Sequence, residues 1–159
     1  MFRIGHAWDV HKLVPERKLI LGGVEVDSPV GLLGHSDADV VLHAVAESLL
    51  GALALGDLGT FYPDNSEKTL NMDSKIILKE CYDRVKTLGY QIVNLDITIY
   101  SEKIKIAPIR EFMRNSIADM LEILVSQVSV KATTHEGLGF IGRNEAIASE
   151  CVCLVSKNN

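Results

Sequence analysis

This chain has no surplus of positive charge, no long apolar run, no internal repeat and no linker of low complexity. With 16 Lys and Arg against 21 Asp and Glu its net charge is −5, so the broad basic footprint of a nucleic-acid-binding protein is absent. An anionic substrate would need its positive charge supplied locally, by metal ions or a few cations. The apolar runs are too short and interrupted to span a membrane. Cysteine is sparse too: Cys81, Cys151 and Cys153 are the only three, and they show no zinc-finger spacing. A bridge between Cys151 and Cys153 is disfavoured if both lie in one strand, and an odd count of thiols suits a reducing compartment. The first residues, Met1 to His6, run straight into a strand-like pattern, so neither a signal peptide nor a transit sequence is expected and the location reads as cytoplasmic. What is present is ordinary globular material, 47% hydrophobic and 23% charged over 159 residues. One domain spanning 1–159 is expected, large enough to bury roughly two thirds of the surface of its unfolded chain.

Periodicity places the elements. Residues 2–11 read as a strand. Leu19–Leu21 and Val24–Val26 flank Gly22-Gly23, a two-residue hairpin signal because both glycines accept positive φ. A loop from Gly31 to Asp39 leads to a helix with Val41, Val45, Leu49 and Ala52 on one side. Ser36 followed by Asp39 resembles a capping box at its start. The Gly/Pro/Asp stretch from Gly56 to Ser66 has no periodicity and reads as an irregular, mobile loop. Residues 73–88 form an amphipathic pattern stopped by Gly89, and 91–99 alternate with Val93, Leu95, Ile97 and Ile99 on one face. A third helix opens at Pro108 and carries Phe112, Met113, Ile117, Met120, Leu121 and Leu124. Val128–Ala132 and Ala146–Val155 are the last strands, enclosing a loop from Thr133 to Arg143. This order predicts an α+β fold, a two-layer domain with a mixed β-sheet covered by helices on one face. The last strand is apolar on both faces, with Glu150 an odd charge among them, which predicts an oligomer whose sheets pack together.

The chemistry concentrates at Asp9-Val10-His11 and at His35 to His43. In an extended strand residues two apart share a face, roughly 6.5–7 Å apart, so Asp9 and His11 can aim a carboxylate oxygen and an imidazole nitrogen at one point. His43, in the first turns of the following helix, supplies a third ligand. An Asp/His/His set with a fourth position open is the arrangement of a catalytic zinc site rather than a closed structural one.

Four stretches together carry a resemblance: Arg3-Ile4-Gly5-His6 leading to Asp9-Val10-His11; Gly34-His35-Ser36-Asp37-Ala38-Asp39 through His43; Gly56-Asp57-Leu58-Gly59 with Tyr62-Pro63-Asp64; and Lys131 to Arg143, with Thr133-Thr134-His135-Glu136-Gly137 at its centre. In order and spacing the chain resembles the 2-C-methyl-D-erythritol 2,4-cyclodiphosphate synthase family. The resemblance implies a homotrimer with active sites between adjacent subunits and a phosphorus–oxygen lyase of the non-mevalonate isoprenoid pathway. It implies that Asp9, His11 and His43 bind Zn²⁺, that Glu136 holds a second ion, Mg²⁺ or Mn²⁺, on the substrate diphosphate, and that His35 and Thr134 stabilise the transition state. Substrate contacts are implied for Asp9, His11, His35, Ser36, Asp57, Gly59, Tyr62, Asp64, Ser66, Lys105, Ile106, Ala132, Thr133, Thr134, Glu136, Phe140 and Arg143. The segment near Phe140 and Arg143 is implied to face the trimer axis and a cavity able to hold an isoprenoid diphosphate. Glu47 stands where the family often has Asp beside the metal-site histidines. Tyr62 replaces a frequent Phe, and Asn65-Ser66 departs from the family's usual Thr-Asp. His6 and His135 read as non-ligands. Two other readings compete: a zinc phosphohydrolase, which would use bound water as nucleophile, and a non-catalytic trimer that binds isoprenoid diphosphates.

Overall fold

The computed structural model describes residues 1–63 and 70–157, so the candidates Asp64 and Ser66 lie outside the described residues. Five strands form one mixed sheet in the order β4-β1-β7-β5-β6. Strand β1 (Phe2–Pro15) pairs antiparallel with β7 (Ala146–Lys157) and, at its end, with β4 (Val30–Leu32). Strand β5 (Tyr90–Tyr100) runs antiparallel to β7 and parallel to β6 (Val128–Thr133). β2 (Leu19–Leu21) and β3 (Val24–Val26) make a separate hairpin whose turn glycines have φ 60° and 77°, as their sequence predicts.

Helix α1 (Val40–Ala52) is buried over most of its circumference, with only His43, Glu47 and Gly51 left more open along one stripe, because it lies between the sheet and α3 (Ser74–Thr87). Leu42, Val45, Leu49 and Leu50 are all at most 1% exposed, and each such side chain contributes about 1.5–3 kcal/mol of transfer free energy. The helix can lie this close to β1 because position 5 is glycine. A Cβ at Gly5 would sit 1.8 Å from the Ser48 carbonyl oxygen. The three cysteines are free and buried, with Cys151 and Cys153 meeting Ser48 of α1.

Several expectations shift in detail. The N-cap of α1 is Asp39, whose side chain accepts from Val41 N and Leu42 N, and no Ser36 capping box forms. Val93 is the extra residue of a β-bulge between Ile92 and Asn94, which turns Ile92 to the core in its place. The third helix, α4 (Arg110–Leu121), follows a 3₁₀ turn at Ala107–Ile109 and ends before Leu124 at a left-handed Glu122. Phe112 points to solvent, 67% exposed. One-turn helices α2 (Leu58–Phe61) and α5 (Gly139–Gly142) stand inside stretches that read as loops.

The face of the sheet away from α1 is only partly covered. At one end Ile141 of α5 packs on Ala146, Ala148, Val10 and Tyr100 as a small second core. At the other, Phe2, Ile4, Trp8 and Val152 remain 68, 71, 47 and 41% exposed. The apolar second face read from β7 is therefore present, and among the described residues only its Ala146–Ala148 end is covered.

Candidate metal and ligand site

Strand alternation sets the first two side chains of the site. Gly5 and Ala7 face α1 and are buried, so Asp9 and His11, two and four residues further on, emerge on the same face beyond the first turn of the helix. His43 is the fourth residue of α1, and its backbone N–H donates to the Asp39 carbonyl at 3.0 Å. Three donor atoms converge there. His11 Nε2 lies 3.0 Å from Asp9 Oδ2 and 3.2 Å from His43 Nδ1, and His43 Nδ1 lies 3.2 Å from Asp9 Oδ2. This is the group among the described residues that could hold a metal ion.

The outer nitrogens are also engaged. His11 Nδ1 faces the Leu33 carbonyl at 2.8 Å; a carbonyl only accepts, so Nδ1 carries the hydrogen and Nε2 is free to ligate. His43 Nε2 meets Ser36 Oγ at 3.1 Å and Ser74 Oγ at 2.9 Å. Burial would push the Asp9 carboxyl up, but when His11 and His43 are protonated their hydrogen bonds and charge outweigh it and hold Asp9 well below the usual carboxylate range.

Around this cluster a cavity of about 240 Å³ is lined by Asp9, His11, His35, Ser36, His43, Glu47, Leu58, Gly59, Tyr62 and Ile77. It thus gathers seven of the site residues that the resemblance implies, with Glu47 beside them. Glu47, one turn along α1, makes no hydrogen bond to Asp9, His11 or His43, and its carboxyl is raised by partial burial and by the Asp9 and Asp57 charges. Asp57 is not in the lining: it is the N-cap of α2, accepting from Thr60 N and Oγ1 at 2.9 and 2.7 Å. The Tyr62 hydroxyl is turned to α3, donating to Glu80 at 2.6 Å.

The remaining candidates stand elsewhere. Lys105, Ile106, Ala132, Thr133 and Thr134 line a second cavity of about 230 Å³ with Ser101, Glu102, Ile104, Ala107 and Arg110, and the two cavities share no residue. Glu136 follows on an exposed turn at φ 52°, accepting from Thr134 Oγ1 at 3.2 Å. Glu102 fixes that turn by accepting from His135 N at 3.0 Å and Gly137 N at 3.2 Å. Phe140 and Arg143 belong to the α5 turn, where Arg143 pairs with Glu145 at 2.7 Å. His6 pairs with Glu150 at 2.8 Å, and His135 packs edge-on against Tyr100. Sequence reasoning missed Glu102, Asp37 and Ser74. The pattern Asp-Ser before an amphipathic helix marks a helix start, but nothing in it names the distant partner.

The chain matches the model of the YgbB family over residues 2–156. It is 50% identical over 160 residues to the 2-C-methyl-D-erythritol 2,4-cyclodiphosphate synthase of Leptospira borgpetersenii serovar Hardjo-bovis, covering 99% of both chains. A solved IspF of Plasmodium falciparum in complex with CDP superposes with a TM-score of 0.88 at 37% identity, over 99% of this chain and 97% of that one. The bifunctional IspDF of Campylobacter jejuni superposes with a TM-score of 0.96 at 36% identity, and here the chain corresponds to 43% of the longer protein.

Proposed function

The chain belongs to the YgbB family, and from that premise we propose that it converts 4-diphosphocytidyl-2-C-methyl-D-erythritol 2-phosphate into 2-C-methyl-D-erythritol 2,4-cyclodiphosphate and CMP, a step of isoprenoid precursor biosynthesis in the cytoplasm. The observation that carries the reading is the convergence of Asp9, His11 and His43, with their donor atoms 3.0–3.2 Å apart, at the wall of a cavity that also holds His35 and Ser36.

The donors suit zinc. Two imidazole nitrogens and one carboxylate oxygen converging on a point are a donor set that zinc accepts. A bound zinc supplies Lewis acidity and a template for the phosphate oxygens. Asp9, His11 and His43 would hold it, and Glu136 would hold Mg²⁺ or Mn²⁺ to neutralise charge on the substrate diphosphate.

The nucleophile is the substrate's own 2-phosphate, already ionised near neutral pH, so the protein needs no strong base. Its task is to fold one anion onto another and hold attacking oxygen, phosphorus and leaving group in line. His35 and Thr134 donate to the oxygens on which charge builds, and the new P–O bond forms as the bond to CMP breaks. Gly59, Tyr62 and Ser36 frame the erythritol phosphate, with Asp57 shaping the α2 turn. Lys105, Ile106, Ala132 and Thr133 take the cytidine diphosphate. The site is assembled in a homotrimer, the cavity of Asp9, His11 and His43 in one subunit meeting the Lys105 cavity of the next. Two features support this: the cavities share no lining residue, and the outer sheet face is apolar. Phe140 and Arg143 face the axis, where an exposed aromatic beside a cation suits an isoprenoid diphosphate.

The test is turnover of the diphosphocytidyl substrate with Zn²⁺ and Mg²⁺, followed by phosphorus NMR. CMP together with a cyclic diphosphate supports the reading. CMP with a linear product would mark a phosphohydrolase, and no turnover by a zinc-loaded trimer would mark a binding protein.

A further inference from the structure

Convergence at Asp9 and His11 requires His43 to present an unprotonated Nδ1. A neutral imidazole has two tautomers, and the partner at one nitrogen decides which is populated. At His43 Nε2 stand two hydroxyls, Ser74 Oγ at 2.9 Å and Ser36 Oγ at 3.1 Å. Ser36 Oγ already accepts from Ala38 N at 3.1 Å and keeps a hydrogen of its own, so alone it could serve either tautomer. Ser74 cannot. Its Oγ donates to Asp37 Oδ1, while its backbone N–H donates to Asp37 Oδ2 at 3.1 Å. A hydroxyl has one hydrogen, and with that hydrogen on a carboxylate Ser74 can only accept from the imidazole. Nε2 therefore keeps its proton and Nδ1 turns its lone pair to Asp9 and His11.

We propose that Asp37 and Ser74 form a carboxylate–hydroxyl relay that fixes the tautomer and ring plane of His43 for metal binding. They are positioning residues and touch neither metal nor substrate. The inference rests on the reading of His43 as a ligand. The surrounding backbone holds the relay rigid. Ser74 is fully buried as the first residue of α3. The chain before it runs beside the His35 segment, with Asn71 N donating to His35 O at 2.7 Å and Asp37 N to Met72 O at 3.1 Å. The same strap thus fixes the backbone of His35 and the outer nitrogen of His43.

Removing a hydrogen-bond partner from a ligating histidine lowers metal affinity about 10–100-fold, and that loss is expected for Ser74→Ala in a competition titration against a chromophoric zinc chelator. Ser74→Ala deletes one oxygen and leaves the α3 N-cap, Asp73, in place, so its circular dichroism should match the parent. A second readout does not depend on metal. Long-range ¹H–¹⁵N spectra of histidine-labelled protein above pH 8, before zinc is added, should show His43 with a pyrrole-type Nε2 and a pyridine-type Nδ1. In Ser74→Ala the two signals should move toward a mixture. An Nδ1–H tautomer in the parent, or equal zinc affinity in parent and variant, would overturn the relay. Should the parent take up no zinc, the ligand reading fails, and the tautomer spectrum still decides whether the relay exists.

Discussion

At Asp39 a fully buried carboxylate accepts from four backbone amides, Gly22 N at 2.9 Å, Gly23 N at 2.6 Å, and Val41 N and Leu42 N at 3.1 Å each. It caps α1 and ties the β2–β3 turn to it at the same time. Asp39→Ala removes a cap worth about 0.5–2 kcal/mol and strands buried donors that cost about 1–3 kcal/mol. A loss of about 2–4 kcal/mol in urea denaturation is the expected outcome, and a midpoint within error of the parent would contradict it. His43→Ala should abolish zinc uptake and turnover while the molecular mass in solution stays that of the parent; full turnover without bound metal would remove the ligand assignment. Asp9, His11 and His43 were legible in the sequence because each obeys a local rule, strand period for the first pair and helix start for the third. The partners of Asp37 and Asp39 were not, since the contacts 37 to 74 and 22 to 39 exist only once α3 and the hairpin have docked.

The crossing of α1 over β1 is the element on which the site depends. It carries His43 to Asp9 and His11, and it is possible because Gly5 lets the helix backbone touch the strand. The clash that a Cβ would make is with backbone, which cannot rotate away, so Gly5→Ala should cost at least the roughly 1–3 kcal/mol of an overpacked core. Thermal unfolding should show a melting temperature several degrees lower, and an unchanged one would mean that the helix can slide. Elements with a clean period, β5 and α3, were read to within a residue or two of their ends. The β5 bulge, the one-turn α2 and α5, and the outward Phe112 were not legible. A bulge and a four-residue helix leave no period to read, and an apolar residue on a helix does not say whether it is covered.

At the scale of the whole molecule the sheet has two apolar faces and one chain's worth of helices to cover them. The outward Phe2, Ile4, Trp8 and Val152 surround a polar group, in which Glu150 accepts from Tyr100 and pairs with His6, with the Lys131 ammonium acting on it from β6. The hydrogen bond from Tyr100, then that from His6, holds the Glu150 carboxyl below its ordinary value of 4.5. A depressed carboxylate contributes stability above its unfolded value and loses it on protonation. The Glu150 contribution is therefore present above pH 4.5 and fades as pH falls below that. Glu150→Gln should flatten part of the acid-side decline seen in urea unfolding at successive pH values; a slope identical to that of the parent would contradict this.

The central claim is that the phosphate on the substrate, and not water, attacks the diphosphate in the cavity of Asp9, His11 and His43. The most direct measurement is turnover in H₂¹⁸O with mass analysis of both products. Cyclisation predicts one CMP and one cyclic diphosphate per substrate, neither carrying ¹⁸O. A product one ¹⁸O heavier would show that water entered at phosphorus and would contradict the account.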